Sequence, residues 1–174
     1  MSLSQKIVKI THEKFKEACE SYFVWKELNE RMKNSSSRGV NIHEGITEPI
    51  VCYVNDYKHS VGKGSEDAFT EDGLQVQVKA SSNFHEDLTS FGPTSEFDIL
   101  EFVRINQETD EFYLYRIPLD NFYDIKVNAK ETVRDKQLMK LRPRFSLIQK
   151  YIVEIGLEPY AIVNVETGEI TRTI

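Results

Sequence analysis

Cysteine is scarce: Cys19 and Cys52 are the only two in 174 residues, and their spacing matches no metal-ligand pattern. Both fall in apolar, helix-like stretches, which suits buried free thiols in a reducing cytoplasm and not a disulfide framework. Long apolar runs are missing too, so no membrane span is expected. The first residues, Met1-Ser-Leu-Ser-Gln-Lys, lack the apolar core of a secretory leader. His12, His43, His59 and His85 are scattered, and no Ser or Cys sits in a nucleophile motif. Metal-free hydrolase chemistry therefore finds no support. No internal repeat is visible, and the only low-complexity tract is the three serines of Asn34-Ser-Ser-Ser-Arg-Gly39. That tract reads as a loop too short to link domains.

What is present is an ordinary globular composition, 40% hydrophobic and 29% charged, in a length that suits one domain spanning 1–174. The net charge of −6 speaks weakly against nucleic acid, but it is unevenly spread. Between Lys126 and Lys150, eight bases (Lys126, Lys130, Arg134, Lys136, Lys140, Arg142, Arg144, Lys150) face only Glu131 and Asp135. That segment carries +6 and the remainder −12. Phosphate binding follows the local field, so the segment is a candidate DNA contact; a solvated helix face is the plainer alternative.

Apolar residues from Phe15 to Met32 recur at helical spacing behind Thr11, a suitable N-cap, and predict a helix to about Lys33. A second helix is expected from Thr47 to about Tyr57, with Pro49 in its first turn. His59 to Gly64 reads as a flexible approach to a hairpin. Strands are expected over 97–105 and 111–117, a helix over 145–155 ending at Gly156, and a closing hairpin from Tyr160 to Ile174. The mixture implies an α/β fold, a mixed central β-sheet flanked by α-helices.

The hairpin is the segment Asp67-Ala-Phe-Thr-Glu-Asp-Gly-Leu-Gln-Val-Gln-Val-Lys79. With Glu71-Asp72-Gly73 as the turn, Asp67 falls opposite Gln77, and alternation puts Gln77 and Lys79 on the face of Asp67. An acid, a carbonyl ligand and a lysine converge, as metal-dependent phosphodiester hydrolysis requires. Glu48, at the start of the second helix, is placed to complete a shell of Asp67, Glu48 and the Gln77 carbonyl. Ser81 and Ser82, just past Lys79, are placed to approach a backbone phosphate. Each has a plainer reading: charged exposed hairpins are common, a first-turn acid suits the helix dipole, and small residues end strands. Glu66 competes with Asp67 as the metal ligand, with the strand period favouring Asp67.

Asp-x(9)-Gln-x-Lys with an upstream helical Glu resembles the PD-(D/E)xK nuclease active site. Val78-Lys-Ala-Ser-Ser82, Asp87-Leu-Thr-Ser-Phe-Gly-Pro93, Phe97-Asp-Ile-Leu100 and Arg142-Pro-Arg-Phe-Ser146 together resemble small type II restriction endonucleases, in particular the family that cuts the interrupted palindrome GCNGC. The resemblance covers roughly 41–155. It departs from the general pattern at Gln77, where an acid is usual; Glu48 would restore the missing charge. No Pro precedes Asp67.

The resemblance implies a restriction-endonuclease-like fold and one or two Mg²⁺ ions bridging Asp67, Glu48 and the scissile phosphate, with no organic cofactor. Lys79 would orient or deprotonate the attacking water and stabilise the transition state. Arg142 and Arg144 lead as guanine readers, made rigid by Pro143, although pairing with surface acids is an equal alternative. Lys126, Lys130, Lys136 and Lys140 are expected at phosphates, and the free N–H groups near Phe145-Ser146 at another. Double-stranded DNA bound by a homodimer is the expected partner. The competing functions are a catalytically inactive DNA-binding module, which Gln77 supports, and a structure-specific or methyl-dependent nuclease.

Overall fold

The computed structural model describes residues 6–62 and 64–173. Helix α1 spans His12–Ser35, and Thr11 caps it by accepting from Lys14 N at 3.3 Å. Its inward stripe is Phe15, Ala18, Cys19, Tyr22 and Trp25; the expected spacing holds as far as Tyr22, whereas Leu28 and Met32, which continue it in the sequence, are exposed. Helix α2 spans Glu44–Asn55 and starts three residues earlier than expected, because His43 Nδ1 accepts from Gly45 N at 2.9 Å and serves as the cap. Pro49 is consequently inside the helix, not in its first turn, and Glu48 sits in the second turn. The helix ends at Asp56 in the left-handed region (φ 55°), whose N–H bonds Cys52 and Tyr53 carbonyls. Cys19 and Cys52 are both buried and unpaired. Among the described residues no helix is long and apolar enough to cross a membrane.

The described residues form ten strands, in chain order β1 Lys6–Lys9, β2 Lys58–Val61, β3 Ala68–Phe69, β4 Gln75–Ser81, β5 Thr89–Ser90, β6 Ile99–Asn106, β7 Glu111–Ile117, β8 Arg144–Phe145, β9 Ala161–Asn164 and β10 Ile170–Arg172. Eight form a mixed sheet in the order β1-β2-β3-β4-β6-β7-β9-β10, and β5 pairs with β8 in a separate short ribbon. The β4–β6 pair is parallel and its neighbours antiparallel. The three expected hairpins form as β3–β4, β6–β7 and β9–β10. The expected flexible approach is instead β2, ordered by pairing with β1 on one side and β3 on the other.

Alternation along the central strands feeds two cores. Val76, Val78, Val103, Ile105, Phe112 and Leu114 pack toward α1 and α2. Leu100, Phe102, Tyr115 and Ile117 face the other way, onto Phe91, Phe122, Phe145, Leu147 and Tyr151. Short elements cover this second face: a 3₁₀ turn at Phe122–Asp124, helix α3 at Val133–Leu138 and a π-helical turn at Ile148–Val153. The helix expected over 145–155 is therefore shorter, because Phe145 is drawn into β8; it ends before Gly156, whose φ is 74°. Glu101, 1% exposed, ties the layers together. It accepts from Tyr57 (2.7 Å), Tyr160 (2.8 Å) and both Nε and Nη2 of Arg116 (3.0 and 2.8 Å).

Candidate active site

The catalytic-looking hairpin adopts the register its sequence demands. Ala68 pairs with Val76 and Phe69 with Gln75, which sets Asp67 opposite Gln77. The turn closes with Thr70 N bonding Leu74 O (3.0 Å) and Gly73 N bonding Thr70 O (3.1 Å), with Gly73 at φ 88°, where a side chain would be strained. Gln77 Nε2 donates to Asp67 Oδ2 at 2.5 Å, and Val78 N donates to the same oxygen at 2.7 Å. Gln77 is thus a side chain that orients Asp67.

Burial, and then the charge of Glu48, push the Asp67 carboxyl up to about 7, against the pull of the Val78 N–H and of Lys79. Burial lowers the Lys79 ammonium; Asp67 opposes that shift and Arg142 adds to it. Lys79 Nζ lies 5.5 Å from the centre of the Phe91 ring, a cation–π contact. Asp67 and Lys79 therefore sense each other at the open end of the β3–β4 hairpin, with Lys79 on the face that carries Phe91.

Glu48 reaches the hairpin from α2. Its Oε2 lies 2.7 Å from His59 Nε2, with both side chains almost wholly buried. Its position in the second turn removes the helix-dipole account of this acid. His59, whose role the sequence left unassigned, fixes the Glu48 carboxylate; only the register of β2 beside β3 brings it there. Ser65 Oγ donates to Glu66 Oε1 at 2.9 Å, whereas Asp67 is the acid engaged across the hairpin.

The donors suit a hard divalent cation. Two carboxylates close enough for Glu48 to disfavour ionisation of Asp67, beside an amide oxygen, are what such an ion neutralises. Among the described residues no cluster of three or more His, Cys, Asp or Glu side chains offers a complete metal shell. Two carboxylate donors suit an oxygen-preferring divalent ion better than a zinc-type cage.

Of the basic segment, the structure brings Arg142 to the hairpin. Its Nε donates to Ser90 Oγ at 3.2 Å, and its charge is felt by Lys79. Pro143 and Phe145 point inward while Arg142 and Arg144 point outward, as strand alternation requires. Among the described residues neither arginine makes an ion pair with an acid. Lys136, in contrast, is held by Glu131 at 2.8 Å, while Lys126, Lys130 and Lys140 are exposed. Ser81 turns inward, its hydroxyl donating to Asn83 O at 2.7 Å, so it closes the turn after β4 and does not face outward toward a phosphate. Ser82 is half-buried, and its carbonyl accepts from Gln107 Nε2 at 2.7 Å. The N–H groups expected to be free near Ser146 are also taken: Leu147 N and Ile148 N each donate to Asp87 at 3.0 Å.

The family described as Bsp6I restriction endonuclease matches this chain over residues 10–154. That span contains Glu48, the hairpin, the Asp87 loop and the Arg-Pro-Arg segment. The type II restriction enzyme Bsp6I of Bacillus sp. (strain RFL6) is 40% identical over 168 residues, covering 95% of this chain and 96% of the relative. With the mixed sheet and its acid-bearing hairpin matched along nearly their whole length, the chain belongs to the Bsp6I restriction endonuclease family.

Proposed function

We propose that the protein is a type II site-specific deoxyribonuclease that hydrolyses phosphodiester bonds of duplex DNA in the cytoplasm, at a short palindromic, GCNGC-like site, with Mg²⁺. The observation that carries this reading is the convergence of Asp67, Gln77 and Lys79 with Glu48 at the open end of the β3–β4 hairpin. Asp67, Glu48 and the Gln77 carbonyl would hold the metal. When bound, the ion supplies Lewis acidity toward the phosphate and offsets the negative charge of the two acids.

The chain's own groups do the rest. Gln77 and Val78 hold Asp67 in one orientation, and His59 does the same for Glu48. Lys79, its proton loosened by burial, holds or accepts a proton of the attacking water and faces the charge that develops on the phosphate. Phe91 limits where Lys79 can sit. Arg142 and Arg144, flanking Pro143 and without an acidic partner among the described residues, read guanine O6 and N7; each bidentate pair is worth about 1–3 kcal/mol of discrimination. Lys126, Lys130 and Lys140 contact phosphates, joined by Lys136 on release from Glu131. Two copies, one per strand, suit a symmetric site.

Plasmid digestion with Mg²⁺, followed by sequencing of the fragment ends, tests the proposal. Discrete fragments sharing one short palindrome are expected from unmethylated DNA. A plasmid that is bound but left uncut would instead favour an inactive binding module, the reading that Gln77 in place of an acid supports.

A further inference from the structure

We propose that Asp87 is a positioning residue that fastens the Arg142-Pro143-Arg144 segment to the loop following the catalytic strand, so that base reading and cleavage share one rigid mount. The inference rests on the function proposed above and adds a residue that neither touches DNA nor holds metal.

The two segments lie far apart in sequence, and Asp87 is the side chain that ties them with the most hydrogen bonds. Their pairing is a two-residue ribbon, Thr89 with Phe145 and Ser90 with Arg144, extended by Phe91 N bonding Pro143 O at 2.9 Å. A ribbon so short is marginal alone. Asp87 reinforces it with both carboxylate oxygens. Oδ1 accepts from Ser146 Oγ at 2.6 Å and Ile148 N at 3.0 Å. Oδ2 accepts from Leu147 N at 3.0 Å and Thr89 Oγ1 at 2.5 Å. Charge-assisted bonds of this kind are short and strong.

The N–H groups involved open the π-helical turn and belong to Leu147 and Ile148, both essentially inaccessible to water. Without Asp87 they would be buried donors with no acceptor. The carboxylate is saturated by protein donors, which leaves it no place among the metal ligands. Its grip passes to the site by contact. Phe145, next to Arg144, stacks on Phe91 (centroids 5.6 Å apart), and the Phe91 ring carries Lys79. Arg142 is bonded to Ser90 in the same loop. Loosening the turn would let both arginines drift relative to Lys79.

A double-mutant cycle tests this. Affinity for a labelled duplex bearing GCNGC is measured in EDTA for Asp87→Ala, in the wild type and in an Arg142→Ala/Arg144→Ala background. Urea midpoints are recorded alongside, and steady-state cleavage is followed in Mg²⁺. Asp87→Ala is expected to weaken binding about tenfold or more in the wild type, one misplaced guanine contact. In the double-arginine background it should change binding less than about threefold, because the groups it positions are gone. In Mg²⁺, KM should rise by a larger factor than kcat falls. Should the alanine variant not fold, Asp87→Asn and Ser146→Ala give the same pattern in weaker form. Equal losses in both backgrounds, or none in either, overturn the clamp while the functional reading stands. A wild type that neither binds nor cuts the duplex overturns both.

Discussion

Asp67→Asn should stabilise the metal-free protein while ending catalysis. In an unfolded chain an aspartate titrates near 3.8, whereas burial and Glu48 push Asp67 up to about 7. Folding therefore favours the protonated acid. Between these two values the native state binds the extra proton, so stability falls as pH rises through the window and is level above it. At ~1.4 kcal/mol per pH unit, the penalty is about 4 kcal/mol at pH 8 and less than half of that at pH 5. Asparagine removes the charge and keeps an oxygen for the Gln77 and Val78 donors. Urea unfolding in EDTA should show a gain from Asp67→Asn that is about 2–3 kcal/mol larger at pH 8 than at pH 5. With a slope of about 2 kcal/mol per molar urea, that is an extra midpoint shift of roughly 1 M. Equal gains at the two pH values, or a loss of stability at pH 8, would refute the placement of Asp67 beside Glu48 in a buried site.

The same proton sets the pH dependence of activity. At limiting Mg²⁺, cleavage should fall as pH drops through about 7, where Asp67 protonates, and added Mg²⁺ should move that midpoint lower; a midpoint insensitive to Mg²⁺ would contradict the linkage. Glu48→Gln should abolish cleavage in single-turnover assays while duplex affinity in EDTA stays within about threefold. Glu101→Gln should behave oppositely to Asp67→Asn. It removes the buried charge that faces Arg116 and turns one of the two acceptor oxygens into an NH2 donor set against a tyrosine hydroxyl or the guanidinium, and should cost about 2–4 kcal/mol in urea unfolding.

Much of this site was legible in the sequence because a hairpin is local. Gly73 fixes the turn, the period of two fixes the faces, and Asp67, Gln77 and Lys79 follow without tertiary knowledge. The β6–β7 pair and the stripe of α1 were readable for the same reason. What escaped depends on partners distant in the chain. His59 meets Glu48 only because β2 is threaded between β1 and β3, and Lys58 to Val61 carries no alternating pattern strong enough to announce a strand. Glu101 is an acid inside an apolar strand, and nothing local says that Tyr57, Tyr160 and Arg116 will surround it. The turn after Phe145 reads as an ordinary helix until Asp87, 60 residues earlier, occupies its first N–H groups. Pro49 misled the placement of α2, because its preference for a first turn is weaker than the cap that His43 supplies.

Single-turnover cleavage of a duplex bearing the site, by wild type and Lys79→Ala in saturating Mg²⁺ at pH 8, bears most directly on the hairpin as the catalytic centre. Both proteins are expected to bind the duplex, with the alanine variant cutting at least about a hundredfold more slowly. Cutting by Lys79→Ala at a rate close to that of the wild type would place the chemistry elsewhere.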